Sequence, residues 1–130
     1  MRTVVIAFAF FIAMGDLRAE APIRLFLHFS DATATSRDSA MEIALLLQAQ
    51  GFEVVELRSI EAEMGRSVEI SRPAVRYFER RFEADARTLQ RELAAILRAR
   101  GLNSAVRLQD FTHYSPKPPD ALEVWLASPQ

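Results

Sequence analysis

The sequence predicts an α/β chain: an α+β two-layer sandwich, a mixed sheet of four to five strands with two helices on one face, in the order βαββαβ. Three observations predict it. Two long segments, one ending near Gln50 and one near Gly101, repeat apolar residues at helical spacing. Short runs of alternating residues lie between and around them. Each helical segment passes into the next strand through a glycine, Gly51 or Gly101.

The elements follow in order. Ile23 to Ser30 alternates, with Ile23, Leu25, Leu27 and Phe29 on one side and Arg24, Phe26, His28 and Ser30 on the other, so it reads as a strand. Residues 31–37 are polar and rich in Thr and Ser. Thr35 or Ser36 is placed to cap a helix, whose apolar stripe is Ala40, Ile43, Ala44 and Leu47. Phe52 to Arg58 is a second strand, and the short joints favour a parallel βαβ unit. Residues 59–71 read as a charged surface loop in which 68–70 could form a short strand. Pro73 restricts the residue before it, and residues 74–78 form a third strand. The second helix carries Phe82, Ala86, Leu89, Leu93 and Ile96 at spacings of three and four, with arginines and glutamates on its other side. Gly101 caps it, and Leu102 is placed to fold back on its last turn. Residues 105–108 form a fourth strand. Ser115 to Asp120 is a stiff proline-rich connector, and residues 122–126 form a closing strand. With both helices on one face, the other sheet face is expected to stay open and to carry Phe26, His28, Arg76 and Trp125.

Composition limits the function classes. Arg2, an apolar run from Val4 to Met14, Gly15 and then Ala19-Glu20-Ala21 match a secretory leader, so residues 1–21 are expected to be a signal peptide and 22–130 a single domain. The apolar run is about half the length of roughly 20 residues that a membrane span needs. Cleavage after Ala19 or Ala21 would release a periplasmic or secreted protein with no remaining span. The chain has a net charge of −1, which gives no basis for nucleic-acid binding driven by charge. It has no cysteine, which excludes disulfides, thiolate catalysis and thiolate metal sites. With two histidines and no HExxH, GxSxG or phosphate-binding glycine loop, no metal and no cofactor is expected.

Two groups of residues could bind a ligand. Thr33, Thr35, Ser36 and Arg37 lie where a helix starts after a strand, and unpaired N–H groups and hydroxyls there suit an anionic or hydroxyl-rich ligand. Helix capping accounts for the same residues, and Ser39 with Glu42 has the spacing of a second capping box. Arg72, Arg76, Tyr77 and Arg80 form a basic and aromatic cluster suited to sugars or carboxylates, with His113, Tyr114 and Trp125 joining if the connector folds back. Tyr77 alternates with Val75 and could instead point inward. A rival catalytic set would be His28 with Asp31 or His113.

The segments Gly51-Phe52-Glu53-Val54-Val55 and Pro73-Ala74-Val75-Arg76-Tyr77-Phe78, the long Ala/Leu/Arg helix and Glu123-Val124-Trp125-Leu126 resemble the LytR C-terminal-type domains over Ile23 to Ala127. These are small exported βαββαβ modules of the bacterial envelope, similar in shape to SPOR domains. The resemblance implies a non-catalytic binding or accessory role in the cell envelope, with peptidoglycan or another envelope protein as partner. A structural dimerisation domain is the other non-catalytic reading.

Overall fold

The computed structural model describes residues 21–117 and 120–129. The expected leader therefore lies outside the described residues except for Ala21, as do Pro118 and Pro119 of the connector. The elements are β1 (Ile23–Phe29), α1 (Ala34–Ala49), β2 (Phe52–Ser59), α2 (Ile60–Met64), β3 (Ala74–Tyr77), α3 (Glu83–Ala99), β4 (Arg107–Asp110) and β5 (Leu122–Trp125). A 3-10 turn, Arg80–Phe82, leads into α3.

The five strands form one mixed sheet in the order β2-β1-β5-β3-β4. β1 pairs parallel with β2 and β3 pairs parallel with β4, each through a crossover helix. β5 lies between the two pairs, parallel to β1 and antiparallel to β3. The register shift between β1 and β2 falls beside Val55, which has no Cα partner and is exposed.

Strand alternation divides the side chains between two faces. On one face Leu25, Leu27, Val75, Leu122 and Val124 meet the apolar stripes of α1 (Ala40, Ile43, Ala44, Leu47) and α3 (Ala86, Leu89, Leu93, Leu97) in one core. The two long helices thus share a face, as their stripes predict. The cap of α1 is Thr33, two or three residues before the expected Thr35 or Ser36. Thr33 Oγ1 accepts from Ser36 N, and the Ser36 hydroxyl answers the Thr33 backbone N–H. Ser39 and Glu42 consequently lie inside the helix and cap nothing.

The opposite face differs from expectation: it is covered. Residues expected to form a plain loop after β2 instead begin with α2. Ser59 Oγ accepts from Ala62 N, and Gly65 closes the helix in the left-handed region at φ 70°. Val68 to Ile70 forms no strand but packs with Ile60, Ala74 and Trp125 in a second, smaller core. His28 and Trp125 are each under 10 % exposed beneath them, and Phe26 is as buried, with the Arg58 guanidinium over its ring. The fourth strand begins two residues later than expected, at Arg107, because Val106 turns into the main core and its carbonyl accepts from Gln90 Nε2.

Candidate functional site

The register brings two rows of side chains across the covered face. One row runs Arg58, His28, Trp125, Ala74, Arg107 from β2 to β4. The next runs Glu56, Phe26, Glu123, Arg76, Gln109. Parts of both rows border a cavity of about 210 Å³, roofed by Glu63 and Met64 of α2 and by Phe111, Tyr114 and Pro116 beyond β4.

α2 holds onto β1 through two glutamates. Glu61 accepts from the Ser30 hydroxyl at 2.6 Å and from the Asp31 backbone N–H at 3.0 Å. The Ser30 bond is the main reason its carboxyl lies below the usual value, with burial opposing. Glu63 Oε1 lies 2.8 Å from His28 Nδ1, while its Oε2 is 3.7 Å from Arg58. His28 stacks flat on Trp125, with ring centroids 4.1 Å apart. The Arg76 guanidinium lies 4.3 Å from the Trp125 ring centroid and 4.5 Å from that of Phe111. Burial draws the Arg76 pKa down and the Glu123 charge opposes it. Glu123 accepts from Trp125 Nε1 at 2.8 Å. Burial raises its carboxyl pKa, but His28, Trp125 and the Arg76 charge together bring it below the usual value. At 3.7 Å the His28 Nε2–Glu123 Oε2 contact is too long for a formed hydrogen bond.

The residues singled out in the sequence are distributed differently. Tyr77 is buried in the main core beside Val75, and burial is the largest cause of its raised pKa. Arg80 pairs with Glu83 and Asp110, each at 3.1 Å, and Arg72 donates to the Ala105 carbonyl. Arg76 alone of the four borders the covered-face cavity, where Tyr114 and Trp125 join it. His28 takes Glu63 as its partner, and neither Asp31 nor His113 borders the cavity.

Thr33, Thr35 and Ser36 do come together, on the rim of a larger cleft of about 490 Å³. Phe29, Ile43, Leu97 and Leu126 wall it, and Ser39 and Ser128 add hydroxyls. Its floor lies where the parallel strands β1 and β5 end and α1 begins, the crevice that open α/β sheets use for ligands. Arg37 is exposed and does not border it. Sequence reasoning missed Arg58, Glu63 and Glu123. Glu63 had a signal in the Ser59 cap and Gly65, which bracket one helical turn. No protein-family model matches the chain, and no curated protein or solved structure matches it.

Proposed function

We propose that the chain is a non-catalytic binding module of the bacterial cell envelope that takes its ligand in the larger cleft. One observation carries the reading: apolar walls beside a row of hydroxyls enclose about 490 Å³ at the carboxyl ends of β1 and β5. That size and lining suit a ligand with an apolar body and a hydrogen-bonding end. Peptidoglycan, or an apolar side chain of another envelope protein, fits the description. The leader pattern of residues 1–21 and the resemblance to envelope modules support the location. The scattered positions of His28, Asp31 and His113 weigh against hydrolysis, since a nucleophile and base must converge.

The test starts from the full chain expressed with its own leader. Protein recovered from the periplasm should begin at Glu20 or Pro22 and should co-sediment with purified peptidoglycan sacculi. S39W, which fills the cleft, should remain folded and stay in the supernatant. Wild-type protein that never sediments, or S39W that still does, would remove peptidoglycan from the cleft.

A dimerisation domain is the second reading. The outer side of α1 exposes Met41 at 54 % and Leu45 at 65 %, beside the β2 edge of the sheet. Sedimentation velocity across a concentration series separates the two, because dimerisation through this surface predicts a rising sedimentation coefficient.

A further inference from the structure

The covered-face cavity lies across the sheet from the cleft, and two of its groups are incomplete. His28 is 2 % exposed, and its Nδ1 is engaged by Glu63. Its Nε2 is buried with no hydrogen-bond partner and faces Glu123 Oε2 at 3.7 Å. Native structures rarely leave a buried polar nitrogen in that condition. Arg76 is the second. Its guanidinium lies within 4.5 Å of the Phe111 and Trp125 ring centroids, and its Nε donates to Gln109 at 2.8 Å. Its terminal nitrogens make no hydrogen bond among the described residues, and the nearer carboxylate, Glu123, stands 3.9 Å from Nη1. A guanidinium held against rings and anchored through Nε still has its terminal N–H groups to offer, the fork that carboxylates match.

We propose that this cavity binds a small carboxylate on the terminal nitrogens of Arg76, and that His28 takes up one proton with it. The charge count around the cavity drives the coupling. With His28 neutral, Arg58 and Arg76 balance Glu63 and Glu123. A bound carboxylate adds one negative charge and competes with Glu123 for Arg76. One proton on His28 Nε2 restores the balance and gives Glu123 a donor in place of Arg76. The imidazolium then lies between Glu63 of α2 and Glu123 of β5. The other charged or titratable groups facing the cavity are Arg58 from β2, Arg76 from β3 and Tyr114 beyond β4. The unpartnered His28 Nε2, which faces Glu123, is the place for that proton. The walls formed by Phe78, Phe111 and Tyr114 suit a carboxylate with a small aromatic or aliphatic body.

Trp125 is the only tryptophan and stacks on His28, so its fluorescence reports on the site. Protein purified after expression of the full chain is titrated with benzoate and with benzamide, its neutral isostere. Benzoate should bind and benzamide should not. The benzoate Kd should rise with pH, by up to about tenfold per pH unit, as one linked proton requires. Calorimetry in two buffers of different ionisation enthalpy should show close to one proton taken up per benzoate. R76Q should lose benzoate binding, and H28Q should bind weakly with no pH dependence. If R76Q does not fold, R76K and the two-buffer measurement on wild type decide. Folded wild type that ignores benzoate at about pH 5.5, or binds benzamide equally, overturns the carboxylate site. Proton uptake near zero, or unchanged pH dependence in H28Q, overturns the coupling.

Discussion

Ile60→Ala tests whether α2 is a docked part of the fold. Ile60 is 0 % exposed and, with Ala74 and Trp125, forms the small core under α2. The change removes three carbons, about 2.4 kcal/mol of transfer free energy at roughly 0.8 per buried methylene. A residual cavity adds to that, within the usual range of about 2–5 kcal/mol for such truncations. The surrounding cluster is small, and its partners Val68 and Ile70 lie outside regular structure, so partial collapse should limit the cavity. About 2.5–3 kcal/mol is therefore expected. At a urea dependence of about 1.5 kcal/mol per molar, the midpoint should fall by about 2 M. The assay is urea unfolding followed in parallel by Trp125 fluorescence and far-UV circular dichroism. Both probes should move together, because Trp125 belongs to β5 at the centre of the sheet as well as to the small core. A midpoint within error of wild type would show that α2 does not bury Ile60. A fluorescence shift without a dichroism shift would show that this face opens independently.

Leu93→Ala, at 0 % exposure in the α3 stripe, should cost about 3–4 kcal/mol, read from the same urea midpoint. Thr33→Ala removes the Oγ1 acceptor for Ser36 N and should cost about 1 kcal/mol, with thermal unfolding as the check. The carboxyls of Glu61 and Glu123 lie below their usual value of 4.5 in the fold. A depressed carboxyl stabilises the fold above its unfolded pKa and loses that contribution as pH falls through its folded value. Stability should therefore hold above about pH 5 and decline below about pH 4.5, whereas a flat urea midpoint down to pH 3 would contradict the assignment.

The main core was legible because its residues repeat at fixed spacings. Ala86, Leu89 and Leu93 face one way on any helix, and Leu25 and Leu27 on any strand. α2 escaped detection because its five residues are too few to show a period, leaving only Ser59 and Gly65 as end signals. Without it, the face carrying Phe26, His28 and Trp125 read as open. Tyr77 shows how one ambiguity resolves: alternation with Val75 decides its direction, and the core claims it. The His28, Glu63 and Glu123 grouping had no sequence signal as a set. It depends on strand order, which places β5 next to β1 although 92 residues separate Phe29 from Leu122 in the chain.

That strand order also bears on how the chain is made. The βαβ half built on β1 and β2 and the half built on β3 and β4 are joined in the sheet only through β5. A nascent chain stopped before Leu122 holds two half-sheets, each with an unpaired inner edge, and lacks the strand that supplies Leu122, Val124 and Trp125 to both cores. Closure must wait until β5 has left the ribosome, and it pays the entropy of a long loop when it comes.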